Sequence, residues 1–138
     1  MSKYIDLQRD VFSIFGSLEW QGVGIATYPR EFSNIDIESS DNKAIRVSIL
    51  PSGKAVNALS ASGVIMIEII TLLSEGPTPI IEIADSLDDF LVRKTINTYT
   101  ETCTQFFEST LGVSQQDSVN PRIGTTLYSI PFQHTGVE

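Results

Sequence analysis

Residues 62–73 read SGVIMIEIITLL, and from Val64 to Leu73 only Glu68 and Thr71 interrupt the apolar run. A strand wetted on one face alternates apolar and polar residues. This one does not. Ile65, Ile67 and Ile69 form one purely aliphatic face, and Val64, Met66, Glu68 and Ile70 form the other. The first face belongs under helices. Burying Val64, Met66 and Ile70 stabilises by about 1.5–3 kcal/mol each, whereas leaving them wet creates an adhesive patch. A second copy of the same chain is an economical cover. Val64, Met66, Glu68 and Ile70 are then interface residues, and Glu68 sits at a subunit boundary. Its partner is a base such as Arg46, on the neighbouring strand or on the next subunit. The ordinary alternative is that the N-terminal helix caps this second face.

The neighbouring segments supply that strand and those helices. Residues 43–53, KAIRVSILPSG, alternate as a strand, with Ile45, Val47 and Ile49 on one side and Arg46 and Ser48 on the other. Pro51-Ser52-Gly53 stops it. Across the small, mostly uncharged connection 54–62, it forms an antiparallel hairpin with 63–72. Residues 3–18 are an amphipathic helix carrying Tyr4, Leu7, Val11, Ile14, Phe15 and Leu18 at helical spacing, with Ser2 as N-cap and Gly16 near its end. Residues 20–29, WQGVGIATYP, read as a short first strand. Residues 30–42 read as an acidic polar loop with a turn at Asp41-Asn42.

Downstream, SEGPTP (74–79) is a loop, with Thr78 as N-cap and Pro79 at the first helical position. The helix 79–94 places Ile80, Ile83, Ala84, Leu87, Phe90 and Leu91 on one stripe, and Arg93 and Lys94 in its last turn. Residues 96–104 read as an irregular connector, 105–113 and 125–132 as strands, and 114–124 as a polar loop. Pro131 marks an end or an edge. The expected fold class is α+β: one mostly antiparallel sheet of about five strands with two helices on one face, in the order α-β-β-β-α-β-β, as a single domain over 1–138.

The 138 residues are 41% hydrophobic, enough for a core, and the apolar stretches are far shorter than a membrane span. The first sixteen residues lack the apolar run of a signal peptide, so the expectation is a soluble protein made in the cytosol. Cys103 and His134 are the only cysteine and histidine. An intrachain disulfide, a cysteine metal cluster and a histidine-based triad are therefore not expected. Cys103 reads as a small, partly buried residue and His134 as a solvated residue of a polar tail.

The net charge of −8 argues against binding nucleic acid through phosphate neutralisation. It does not argue against a surface past which DNA slides. Between Lys54 and Arg93 lie Glu68, Glu75, Glu82, Asp85, Asp88 and Asp89 without a base. The three Asp of the helix lack the glycine-bearing loop of a calcium site and read as a solvated face.

The element order resembles that of the tail terminator proteins of long-tailed bacteriophages, the lambda-type minor tail proteins. The stretches DVFSIFGSLEWQGVGIATYPREF, IRVSILPSG, SGVIMIEIITLLSEGP with IADSLDDFL, and YSIPFQHTGV are similar to the small terminator-like or neck proteins of phage virions. The resemblance spans nearly the whole chain. It departs from the lambda pattern in longer loops at 54–62 and 114–124. It implies a non-enzymatic virion protein without cofactor: a homohexameric ring on the last ring of tail tube protein. Such a ring ends tail polymerisation and presents a surface to the head-completion or neck protein. DNA passes through the lumen without specific binding, repelled by an acidic wall. Candidates for that wall are Asp36, Glu38, Asp41, Asp85, Asp88 and Asp89. Two other readings are a stopper ring on the portal side and a small ligand-binding domain using Glu68, Asp85 and Arg46.

Overall fold

The computed structural model describes residues 3–29, 43–52, 61–96, 102–116 and 121–136. Helices α1 (Lys3–Phe15) and α2 (Leu18–Val23) precede strands β1 (Ala26–Pro29), β2 (Lys43–Ser52) and β3 (Ala61–Leu72). A 3-10 turn (Leu73–Glu75) leads to helix α3 (Thr78–Leu91). Strands β4 (Thr95–Ile96), β5 (Thr102–Phe106), β6 (Thr110–Gln116) and β7 (Ile123–Gly136) follow.

The β2–β3 hairpin has the register its alternation demands. Ile45, Val47 and Ile49 stand opposite Ile69, Ile67 and Ile65. Strand β7 continues this aliphatic layer from the other side of β3, with Ile130 opposite Ile65 and Tyr128 opposite Ile67. These side chains form the inner face, packed with Leu7, Val11, Ile14 and Phe15 of α1, Trp20 of α2, and Ile83, Leu87 and Leu91 of α3. The Phe15 and Phe90 rings each stand nearly perpendicular to the Trp20 ring, 5.2 and 5.1 Å away between centroids, in the T-shaped arrangement aromatic pairs favour.

The expected architecture is overturned. The sheet has seven strands rather than about five, in the order β1-β2-β3-β7-β5-β4 with β6 also on β7, and it curls strongly into a half-barrel. It is mixed, since β1 pairs parallel with β2. The short strand β4 (Thr95–Ile96), which the sequence did not announce, adds one strand, and three physical details reshape the other elements.

First, the segment read as a strand over 20–29 begins as helix α2. The Ser17 hydroxyl accepts from the Trp20 backbone N–H at 3.2 Å, an N-cap. Gly24 closes the helix in the left-handed region at φ 80°. Only then does the chain extend into β1.

Second, the segment read as a strand over 105–113 is two strands, because pairing to β7 breaks between Phe106 and Thr110. Pro131 lies opposite that break. Its carbonyl accepts from the Phe107 N–H at 3.0 Å. The N–H and C=O of an antiparallel residue point to the same side, so the donor proline lacks would have faced the interruption. Strand β7 therefore runs straight through a proline that marks neither an end nor an edge.

Third, alternation continues past residue 132. Tyr128, Ile130, Phe132 and His134 are all buried. The expected solvated tail is the end of β7, and His134 is a core residue.

Helix α3 ends at Leu91, so Arg93 and Lys94 fall beyond it rather than in its last turn, and Arg93 adopts φ 59°.

Candidate functional site

The face opposite the helices carries the candidate assembly residues. Its rows follow from register. Leu50, Val64 and Pro131 form one row, Ser48, Met66 and Ser129 the next, and Arg46, Glu68 and Leu127 the third. Val64, Met66 and Glu68 are half-buried, and Leu50 and Leu127 are exposed. Ile70 and its neighbour Ala44 are buried at the far end of the face. All five residues expected at an interface, Arg46 included, thus share this outer face. At its centre Arg46 and Glu68 form a salt bridge across β2 and β3, with side chains 24% and 28% exposed. The base that pairs Glu68 lies within the same subunit. Helix α1 does not cover this face. It packs on the inner one, through Leu7, Val11, Ile14 and Phe15.

The expected lumen acids divide into three groups. Asp36, Glu38 and Asp41 lie outside the described residues. Asp85 and Asp89 project from the exposed side of α3. Asp88 turns toward the sheet. Its Oδ1 accepts from the Tyr128 hydroxyl and from the Ser109 hydroxyl, each at 2.6 Å. Burial pushes the Tyr128 hydroxyl well above its usual range; the hydrogen bond to Asp88 and that carboxylate's charge add to the rise, and Ser109 opposes it. The phenol stays protonated and ties α3 to β7. Asp85 is separated by the sheet from Arg46 and Glu68, so these three do not converge on a pocket.

A polar cluster that the sequence reading missed lies at the other end of the inner face. Asp10, Thr104 and His134 are each fully buried. Thr104 stands opposite His134 in the sheet, and Ala61 flanks His134 on its other side. The Thr104 hydroxyl donates to Asp10 Oδ2 at 2.7 Å and lies 2.7 Å from His134 Nδ1. A hydroxyl has one proton to give, so His134 Nδ1 carries hydrogen and donates to Thr104. Asp10 Oδ1 has no hydrogen-bond partner among the described residues. At this burial no substrate reaches the group, and it works as an internal clamp holding α1 to β5 and β7. Its signal was readable: Asp10 lies on the Leu7, Val11 and Ile14 stripe, and His134 continues the β7 alternation.

Among the described residues no group of three or more His, Cys, Asp or Glu side chains is placed to hold a metal ion. No helix of the described residues is long and apolar enough to cross a membrane.

No protein-family model matches the chain, and no curated protein matches it. A solved structure of a protein that carries no functional name is similar over 96% of this chain and 96% of its own, with a TM-score of 0.70 at 14% identity. At that identity the likeness concerns the fold alone.

Proposed function

We propose that this protein is a ring-forming virion component of a long-tailed phage. It caps the tail tube, ends tube polymerisation and offers a joining surface to the head, while DNA passes through its lumen. The observation that carries the proposal is the apolar patch on the outer face. Leu50, Val64, Met66 and Leu127 surround the Arg46–Glu68 pair on the side of the sheet away from the helices. A neighbouring subunit would cover the exposed part of this patch, where Leu50 and Leu127 lie, and a ring is the closed assembly of head-to-tail contacts. The similarity of the quoted stretches to terminator-like and neck proteins supports the kind of ring. The net charge of −8 suits a hole through which DNA must move without adhering.

Negative-stain imaging of the purified full chain, alone and mixed with tail tubes, tests the reading. The expected result is closed rings with a central hole, seated at tube ends. A monomer that leaves tube ends bare would overturn it.

A further inference from the structure

Charge is distributed unevenly over the sheet. The chain has 17 acids and 9 bases, yet none occurs in the seven residues of β6 or the fourteen of β7. This charge-free strip is not hidden. Every residue of β6 is exposed, and Leu127 on the outer side of β7 is 43% exposed. Among the described residues β6 pairs only with β7, so the backbone groups on its other side meet no strand. Such an edge invites strand pairing, and proteins that remain apart blunt it with charge, proline or a bulge. Strand β6 has neither charge nor proline. It does have a bulge, between Leu111 and Ser114. The bulge pushes out Val113, which is 85% exposed, rather than a lysine. Gly112 permits the close approach there, since a Cβ on it would lie 3.3 Å from the Leu127 carbonyl oxygen.

We infer that the open edge of β6, with Val113 as its apolar projection, is the contact through which a second copy of this chain docks. Charge selects the occupant. A basic partner would gain from the acids elsewhere and lose nothing by avoiding this strip. A second copy carries the same net −8, and like charges juxtaposed across an interface cost several kcal/mol. It therefore approaches best where neither sign is present. In a closed ring the contact is head-to-tail, so β6 meets a different element of the next copy. The inference rests on the ring reading for the identity of that neighbour.

Size-exclusion chromatography with light scattering, over a dilution series of the full chain, tests it. The wild type is compared with Val113→Lys and with Leu18→Lys, a control at an equally exposed apolar residue outside the strip. Circular dichroism establishes that both variants keep the fold. The expected result is that wild type and Leu18→Lys assemble alike, while Val113→Lys needs about tenfold or more protein to assemble, one hot-spot side chain's worth of affinity. Assembly of Val113→Lys at the wild-type concentration overturns the edge contact and leaves the ring reading standing. A wild type that stays monomeric, alone and on tail tubes, overturns both.

Discussion

His134 Nδ1 lies 3.5 Å from Asp10 Oδ2, with the Thr104 hydroxyl bridging them and all three side chains fully buried. Helix α1 is thereby tied to β5 and β7 by a contact that tolerates no loss of a member. Removing one partner leaves buried polar atoms unsatisfied, at about 1–3 kcal/mol. Thr104→Val and Asp10→Ala are each expected to lower stability by at least that much in urea unfolding. The double mutant is expected to lose less than the two combined, with a coupling of about 0.5–3 kcal/mol. Strict additivity would mean the three groups do not act as a unit.

The Arg46–Glu68 pair presents the opposite case. It is partly solvated, and such ion pairs contribute about 0–1 kcal/mol. Glu68→Gln is therefore expected to shift the urea midpoint only slightly. In the ring reading the same variant acts on assembly instead, because a neighbour would dry the pair and a neutral Gln would no longer offset the Arg46 charge there. Light scattering alongside unfolding separates the two effects.

Facing of β3 gives a sharper contrast between adjacent residues. Met66 lies half-buried on the outer face and Ile67 lies fully buried on the inner one. Met66→Lys is expected to keep a native circular dichroism spectrum and to impair assembly. Ile67→Lys is expected to unfold the chain, since a buried unpaired charge costs several kcal/mol. Exchange of the two phenotypes would reverse the assignment of faces.

Tyr128 makes the fold sensitive to base. A tyrosine in the unfolded chain ionises at about pH 10, and the folded state holds this proton to higher pH. Above pH 10 the folded form binds more protons than the unfolded form, so stability falls as pH rises; below it the contribution is complete and flat. Absorbance at the tyrosinate band is expected to show one of the four tyrosines ionising late, together with unfolding. Tyr128→Phe should abolish that late component.

The lumen reading makes a prediction about nucleic acid. With a net charge of −8 repelling phosphates, the wild-type protein is expected to leave duplex DNA unshifted in gels at both low and physiological salt. Tight binding that weakens with salt would reveal a basic surface and replace the pore reading with a DNA-binding one.

The central hairpin, the inner aliphatic face and the α3 stripe were legible because β2 and α3 keep a clean period and Ile65, Ile67 and Ile69 form a face with no polar residue. Ile45, Val47, Ile65, Ile67 and Ile69 need no tertiary information to be placed. Strand number was not legible, for local reasons. Ser17 and Gly24 act through cap geometry, which outweighed an extended reading of the residues between them. Pro131 signals an edge unless its missing donor is known to face a gap, and that gap belongs to another segment. The Asp10 clamp was half visible. A carboxylate on an apolar helical stripe demands a buried partner, but which partner depends on a pairing between β5 and β7 far along the chain.

Strand β7 contacts β3, β5 and β6, and it follows all of them in sequence. A nascent chain therefore exposes the aliphatic edge of β3 until β7 emerges to pair with it. Non-local pairing of this kind folds on a scale of milliseconds to seconds, and unpaired apolar strands aggregate in the interval. Newly made protein is consequently at greatest risk after α3 has been synthesised and before Ile123–Gly136 has docked. Yield in cells should respond more strongly to slower synthesis or lower temperature than the stability of the finished fold would suggest.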